Sequence, residues 1–241
     1  MSRRLFRTRY AGGGPTLFVH FRDPVSCLTH LFGFLGAVYF TALFWRLGGA
    51  DRSRRLSVGC FGASLCLLYA ASSAYHGVLS PPGLIDVLRR LDHSAIYVLI
   101  AGTYTPIFAV LLRGRQRVLL LLMMWGVAAV GVACKWLLPW GAYGMGVGMY
   151  VGMGTLGLVS VASLLRALGA RALALTLFGG ACYTAGGVCD ALGWPLLAPG
   201  FGSHEVLHVC DLFGSLIHVV VVVRYVLPFE RPRAASSSLA A

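Results

Sequence analysis

Charged residues are scarce in this sequence, and acidic residues are the scarcest of them. Asp, Glu, Lys and Arg together make up 12% of the 241 residues, whereas an ordinary soluble domain has about 25%. Hydrophobic residues make up 58% of the chain, and the mean hydropathy is +0.78. This composition excludes an ordinary soluble domain and indicates a protein that crosses a membrane several times.

Paired cysteines are also lacking. The seven cysteines contain no CxxC pair, and most of them lie inside apolar runs. A disulfide scaffold is therefore excluded, and we interpret these cysteines as small buried hydrophobic residues.

The positive charge is large, but it does not form a nucleic-acid surface. Twenty Lys and Arg residues face eight acidic ones, which gives a formal net charge of +12. These cations lie in short segments between apolar runs, without a basic domain or a stripe interleaved with aromatic residues. Contact with phospholipid headgroups explains them better, and no nucleic-acid partner is expected.

Apolar runs of about 20 residues predict an all-α membrane protein, a bundle of seven transmembrane helices. The predicted spans are 25–45, 56–79, 92–112, 118–138, 143–165, 172–193 and 204–226. We expect a cytoplasmic N-terminal arm over residues 1–23, one transmembrane domain over 24–228 and a disordered tail over 229–241. The glycine-rich run 141–154 predicts a tightly packed inner helix, with a re-entrant loop as the alternative.

Two histidines, His204 and His208, begin the last span. Residues four apart on a helix differ by about 40° in azimuth and about 6 Å in rise, so both rings face the same way. This spacing suits metal ligands, but it also occurs in hydrogen-bonded core histidines. His218 lies too deep along the helix for the same ion and predicts an interhelical hydrogen bond.

Other polar residues converge on the same membrane face, because successive helices alternate in direction. Ser72 and His76 end the second span, and Asp92 begins the third. Each of these residues, taken alone, also has a structural explanation. His76 could be an interfacial histidine, Asp92 a helix N-cap, and Ser72 a donor to a backbone carbonyl of its own helix. His30 shares this face and is expected to be structural.

Together these residues predict a catalytic zinc site. Three imidazoles, from His76, His204 and His208, leave one zinc position open for water. The ion lowers the pKa of that water to about 7. Asp92 then takes or orients the proton, and Ser72 hydrogen-bonds the water or a reacting carbonyl.

Three motifs, taken in order and spacing, resemble the haemolysin III branch of the progestin and adipoQ receptor family. They are Ser72-x3-His76, the run from Leu91 through Asp92 to Pro106, and Ser203-His204-x3-His208, within a match over roughly residues 24–227. The resemblance implies seven transmembrane helices, a cytoplasmic N-terminus and zinc held by the three histidines, with Asp92 and Ser72 beside the zinc-bound water.

The sequence departs from the family pattern around the last motif. Leu207 stands where the family usually has an aromatic residue, and Asp211 stands where it usually has an apolar one. Asp211 shares the helix face of His204, so it orients a ligand histidine, competes for the metal or partners a polar group on another helix.

Orientation is a second point of disagreement. A cytoplasmic N-terminus leaves eight of the twenty cations on the cytoplasmic side and the other twelve outside. The positive-inside rule favours the reverse. We keep the orientation that the family implies, in the cell membrane (plasma or inner membrane).

The function expected from these residues is zinc-dependent hydrolysis of a lipid amide or ester, similar to that of the ceramidases in the wider superfamily. A pore-forming haemolysin is one alternative, although a pore should carry polar residues through the full bilayer depth. A receptor or regulator of the membrane with a structural zinc is another. The lipid and the oligomeric state stay open.

Overall fold

The structure, a computed structural model, describes residues 21–138 and 143–230. Over these residues the backbone is helical apart from turns and one isolated bridge between Ala198 and Phe201. The all-α prediction is therefore confirmed for the described part of the chain. The predicted arm and tail fall largely outside it, since residues 1–20 and 231–241 are not described.

The helices match the predicted spans to within a few residues, except at the start of α3 and at the boundary between α5 and α6. They are α1 (Pro24–Leu47), α2 (Arg52–Gly77), α3 (Pro82–Leu111), α4 (Gly114–Leu137), α5 (Tyr143–Leu156), α6 (Val161–Leu192) and α7 (Ser203–Val221). A 3-10 turn (Gly157–Ser160) joins α5 to α6, and a π-helical turn (Val222–Val226) continues α7.

Residues at the helix ends explain where several of these helices begin. Proline occupies the first turn of α1 and of α3, where its missing N–H has no helical partner to lose. The Asp51 side chain accepts a hydrogen bond from the Arg54 N–H and caps α2. The Glu205 carboxylate accepts one from the Gly202 N–H, at 2.8 Å, at the start of α7.

Hydrogen bonds between distant segments show that α1 and α7 both run antiparallel to α2. The Asp23 N–H donates to the His76 carbonyl, which joins the start of α1 to the end of α2. At the opposite end, the Arg54 side chain donates to the Leu227 carbonyl and joins the start of α2 to the end of α7. We call the end of the bundle that holds the start of α1, the end of α2 and the start of α7 the histidine face.

The outer surface of the bundle is strongly apolar. Large side chains such as Phe32, Leu122 and Phe178 are 76%, 65% and 60% exposed. In water so much exposed apolar surface is unfavourable, but it suits contact with lipid chains. The chain is a membrane protein.

Within the described residues, six apolar helical stretches rather than seven are long enough to cross a membrane. The predicted fifth and sixth spans form one stretch of 47 residues, Gly146–Leu192. It is not a continuous helix, because Gly169 lies at φ 80° and ψ 169° inside α6.

The prediction that α3 begins at Asp92 is wrong. Helix α3 begins at Pro82, ten residues earlier. Asp86 stabilises these added turns by accepting hydrogen bonds from Arg89 and Arg90, three and four residues later. Asp92 therefore lies inside the helix with 7% exposure, and its interpretation as an N-cap is excluded.

The tight packing predicted for the glycine-rich fifth span is found at only part of its length. A Cβ atom on Gly148, Gly152 or Gly154 would meet no atom within 4 Å. A Cβ on Gly146 would lie 2.7 Å from the Lys135 ammonium nitrogen. Gly148 and Gly152 are exposed, and Gly154 lines the cavity described below.

Candidate metal site and cavity

The structure brings the three predicted metal ligands together at the histidine face. His76 is the penultimate residue of α2, and His204 and His208 lie in the first two turns of α7. The Nε2 atom of His204 lies 3.2 Å from the Nε2 atoms of both His76 and His208. One ligand nitrogen from each histidine falls within 4.8 Å of the others, so the cluster could hold a metal ion.

This spacing fits a tetrahedral metal centre. Zinc–imidazole bonds of 2.0–2.1 Å at tetrahedral angles separate two ligand nitrogens by about 3.3 Å. The two distances of 3.2 Å agree with that value. Three nitrogen donors on one side also leave a coordination position open, as in catalytic zinc sites.

Hydrogen bonds in the middle of the bundle fix α7 against its neighbours. The Ser215 hydroxyl lies 2.7 Å from the Tyr69 hydroxyl of α2 and 2.8 Å from the Tyr183 hydroxyl of α6. Ser215 is seven residues beyond His208 and therefore on the same side of α7. These bonds set the rotation of α7 and so direct His208 inward.

A carboxylate bonds the outer ring nitrogen of two of the three histidines. The Nδ1 atom of His76 lies 3.0 Å from the Asp23 carboxylate, and the Nδ1 atom of His204 lies 3.1 Å from that of Asp190. Asp23 precedes α1 and also accepts from Arg22. The hydrogen bond from His76, together with Arg22, holds the pKa of Asp23 below its usual value.

Asp23 is not among the residues predicted from the sequence, although an acid directly before the first span, on the same face as His76, was the available signal. Asp190 lies near the end of α6, where an ionisable residue in an apolar run is itself a signal.

The third histidine, His208, is held by stacking. Its ring centroid lies 3.7 Å from that of His30, with an interplanar angle of 20°. The two side chains are buried, at 2% exposure each. His30, expected to be structural, packs directly on the ring of a predicted metal ligand. A bond from the Ser26 hydroxyl to the Glu205 carboxylate, 2.9 Å long, joins the same two helices.

A cavity of about 660 Å³ lies beside the histidine cluster, and two of the three histidines, His204 and His208, line it. Both predicted catalytic residues, Asp92 and Ser72, line it, and they lie beside each other. Asp211 lines it as well. No hydrogen bond within the described residues joins the Asp211 carboxylate to a ligand histidine, and its role as a partner of the ligands stays a prediction.

Most of the cavity wall is apolar and comes from α3, α5, α6 and α7. The wall runs from the histidine face past Ile96, Ile100 and Val151 to Leu158 and Leu164 near the other end of the bundle. His218 lies along it but bonds the Gly214 carbonyl of its own helix, at 2.7 Å, and stacks on Tyr183. The interhelical hydrogen bond predicted for His218 is therefore wrong.

Comparison with known proteins agrees with this arrangement. Residues 18–219 match the family model described as haemolysin-III related. The chain is 34% identical over 168 residues to Hemolysin-3 of Bacillus cereus, which covers 70% of this chain and 74% of that protein. It is 35% identical over 131 residues to a Hemolysin-3 homolog of Bacillus subtilis strain 168, with 54% and 61% covered. Since the family match takes in all three histidines and most of the bundle, the chain belongs to the haemolysin III family.

Proposed function

We propose that the chain is a zinc-dependent intramembrane hydrolase that cleaves an amide or ester bond of a membrane lipid. The observation that carries the proposal is the set of three histidine nitrogens, two pairs of them 3.2 Å apart, beside an apolar cavity. A zinc ion with three imidazole ligands and an open position polarises a carbonyl group and lowers the pKa of water.

The chain's own residues supply the rest of the chemistry. Asp92 lies buried in the cavity wall within reach of the histidine face and takes the proton from the attacking water. Ser72, 2% exposed, donates a hydrogen bond to the reacting carbonyl or to the water. The apolar wall receives the lipid chain, and the polar head stays at the membrane surface.

We also propose seven crossings of the cell membrane, with the N-terminus in the cytoplasm. The 47 residues Gly146–Leu192 have a summed helical rise of about 70 Å, more than twice the bilayer's hydrocarbon thickness of about 30 Å. Contacts support two crossings: Tyr150 bonds the His93 carbonyl, near the histidine face, and Ser163 bonds Gln116, at the opposite end. Asp190 then returns to the histidine face.

A second candidate function, pore formation, is favoured by the name Hemolysin-3 that two relatives carry. Dye release from liposomes separates the two functions. A pore releases dye whether or not zinc is present and leaves the lipids intact. A hydrolase produces free fatty acid or lysolipid and depends on zinc.

The test of the hydrolase proposal compares wild type with Asp92→Asn in detergent–lipid micelles. We expect wild type to release fatty acid from an N-acyl or ester lipid and the variant to be at least about 100-fold slower. We expect zinc content to be the same in both, because Asp92 is not one of the three nitrogen ligands.

Two results contradict the hydrolase proposal. The first is the absence of bound metal in carefully prepared wild type. The second is equal turnover by wild type and Asp92→Asn in a preparation that does contain zinc.

A further inference from the structure

The protein restrains the three histidines in two different ways: two of the rings bond a carboxylate, and the third stacks on another ring. We propose that Asp23 and Asp190 are positioning residues, which fix His76 and His204 in the tautomer and orientation that metal binding requires. The third ligand, His208, is held by packing instead. This inference rests on the proposed function only in placing a metal at the three histidines, and it is independent of any hydrolysis.

The chemistry of the two contacts fixes the tautomer of each ring. An ionised carboxylate only accepts hydrogen bonds, so the ring nitrogen facing it carries the proton. At 3.0 Å from Asp23 and 3.1 Å from Asp190, the Nδ1 atoms of His76 and His204 are therefore the donors. Each neutral ring then has its lone pair on Nε2.

These two Nε2 atoms face each other at 3.2 Å. Two lone pairs at this separation repel each other unless a cation lies between them or one ring takes up a second proton. By fixing both tautomers, the two carboxylates make the pair a strong receptor for a metal ion. Their negative charge also strengthens the donation of each ring to the metal.

The ligand rings differ in how much the protein packing alone restrains them. The His208 side chain is buried and stacks on His30. The His76 side chain is only 4% exposed, but the His204 side chain is 38% exposed. His204 is therefore the ring most free to rotate, and its bond to Asp190 is the contact that restrains it.

Asp23 and Asp190 are themselves held in different ways. The Asp23 N–H donates to the His76 carbonyl at 2.9 Å, so one residue bonds both the backbone and the ring of His76. Its side chain is 44% exposed, whereas that of Asp190 is 11% exposed. Because water screens the exposed carboxylate more strongly, we expect Asp190 to contribute more to metal affinity than Asp23.

The experiment measures zinc affinity of the full-length chain in detergent, by competition with a chromophoric chelator. The variants are Asp190→Asn and Asp23→Asn, and the matched control is Asp86→Asn. Asp86 lies near the histidine face, but its carboxylate bonds Arg89 and Arg90 rather than a histidine. Visible absorption of the Co²⁺-loaded protein reports on ligand geometry, and the melting temperature of the metal-free forms reports on folding.

We expect Asp190→Asn to weaken zinc binding by about 10–100-fold and to change the cobalt spectrum. We expect a smaller loss in Asp23→Asn, no loss in Asp86→Asn and little change in the melting temperatures without metal. Unchanged affinity in both histidine-contacting variants would overturn the inference while leaving the metal site intact. An equal loss of zinc affinity in Asp86→Asn would also overturn the inference. Should Asp190→Asn not fold, Asp23→Asn decides by the same criterion. Absence of zinc binding by wild type would overturn the inference and the proposed function together.

Discussion

His208 and His218 lie on the same helix, and each is buried, but their surroundings differ. The Nε2 atom of His208 points at another histidine nitrogen at 3.2 Å, whereas the His218 Nδ1 atom lies 2.7 Å from a backbone carbonyl of its own helix. A buried histidine with such a backbone bond is satisfied without a metal. A buried histidine that converges with two other imidazoles is not satisfied without a metal.

We expect His208→Ala to abolish zinc binding, because two imidazoles are too few for a stable site. We expect His218→Ala, the matched control, to keep about one zinc per chain. Elemental analysis of the purified proteins measures both. Equal zinc content in the two variants would show that the ion is bound elsewhere.

Helices α6 and α7 pack closely at positions where glycine removes a side chain. A Cβ atom on Gly186 would lie 2.8 Å from the Cβ of Cys210 and 3.2 Å from the Cα of Leu207. The Leu207 Cα belongs to the backbone, so it cannot move away by a change of side-chain rotamer. Gly186 lies one turn before Asp190, so the closeness of the two helices places Asp190 against His204.

We therefore expect Gly186→Val to push α6 away from α7 and to destabilise the protein by about 1–3 kcal/mol, as overpacking does. The Asp190–His204 contact should lengthen, and zinc affinity should fall. The control is Gly180→Val on the same helix, where a Cβ meets nothing within 4 Å. Thermal unfolding in detergent and zinc competition measure the two effects, and identical behaviour of the two variants would contradict this explanation.

For the molecule as a whole, charge is distributed unevenly between the two ends. Exposed arginines crowd the end opposite the histidine face, among them Arg52, Arg113, Arg115, Arg166 and Arg171. If the histidine face is cytoplasmic, these cations lie outside and contact the outer headgroups. The positive-inside rule favours the opposite arrangement.

Labelling of single cysteines tests both the number of crossings and the orientation. In a variant with the native cysteines replaced, we expect Arg166→Cys to react with a membrane-impermeant maleimide on intact cells. We expect Leu197→Cys, in the loop before α7, to react only after permeabilisation. Labelling of both sites from one side would contradict two crossings within Gly146–Leu192. Exchange of the two patterns would contradict either the orientation or the crossing by α5.

Local patterns account for much of the fold and of the candidate site. The apolar runs predicted the helices, because hydrocarbon requires each span to satisfy its own backbone hydrogen bonds. The i, i+4 spacing of His204 and His208 and the alternating direction of the spans predicted that His76, Ser72 and Asp92 lie near them. These inferences need only helical periodicity and the order of elements along the chain.

Other features depend on contacts between distant segments and were not predictable in this way. Asp23 meets His76 across 53 positions of sequence, and the cavity is lined by residues of several helices that are distant in the sequence. Helix α3 extends to Pro82 through polar turns that a hydropathy pattern does not mark. Periodicity sets which way a side chain points on its own helix, but the identity of its partner depends on how the helices pack. For that reason, the histidines could be identified from spacing, whereas the carboxylates that bond two of them required the folded bundle.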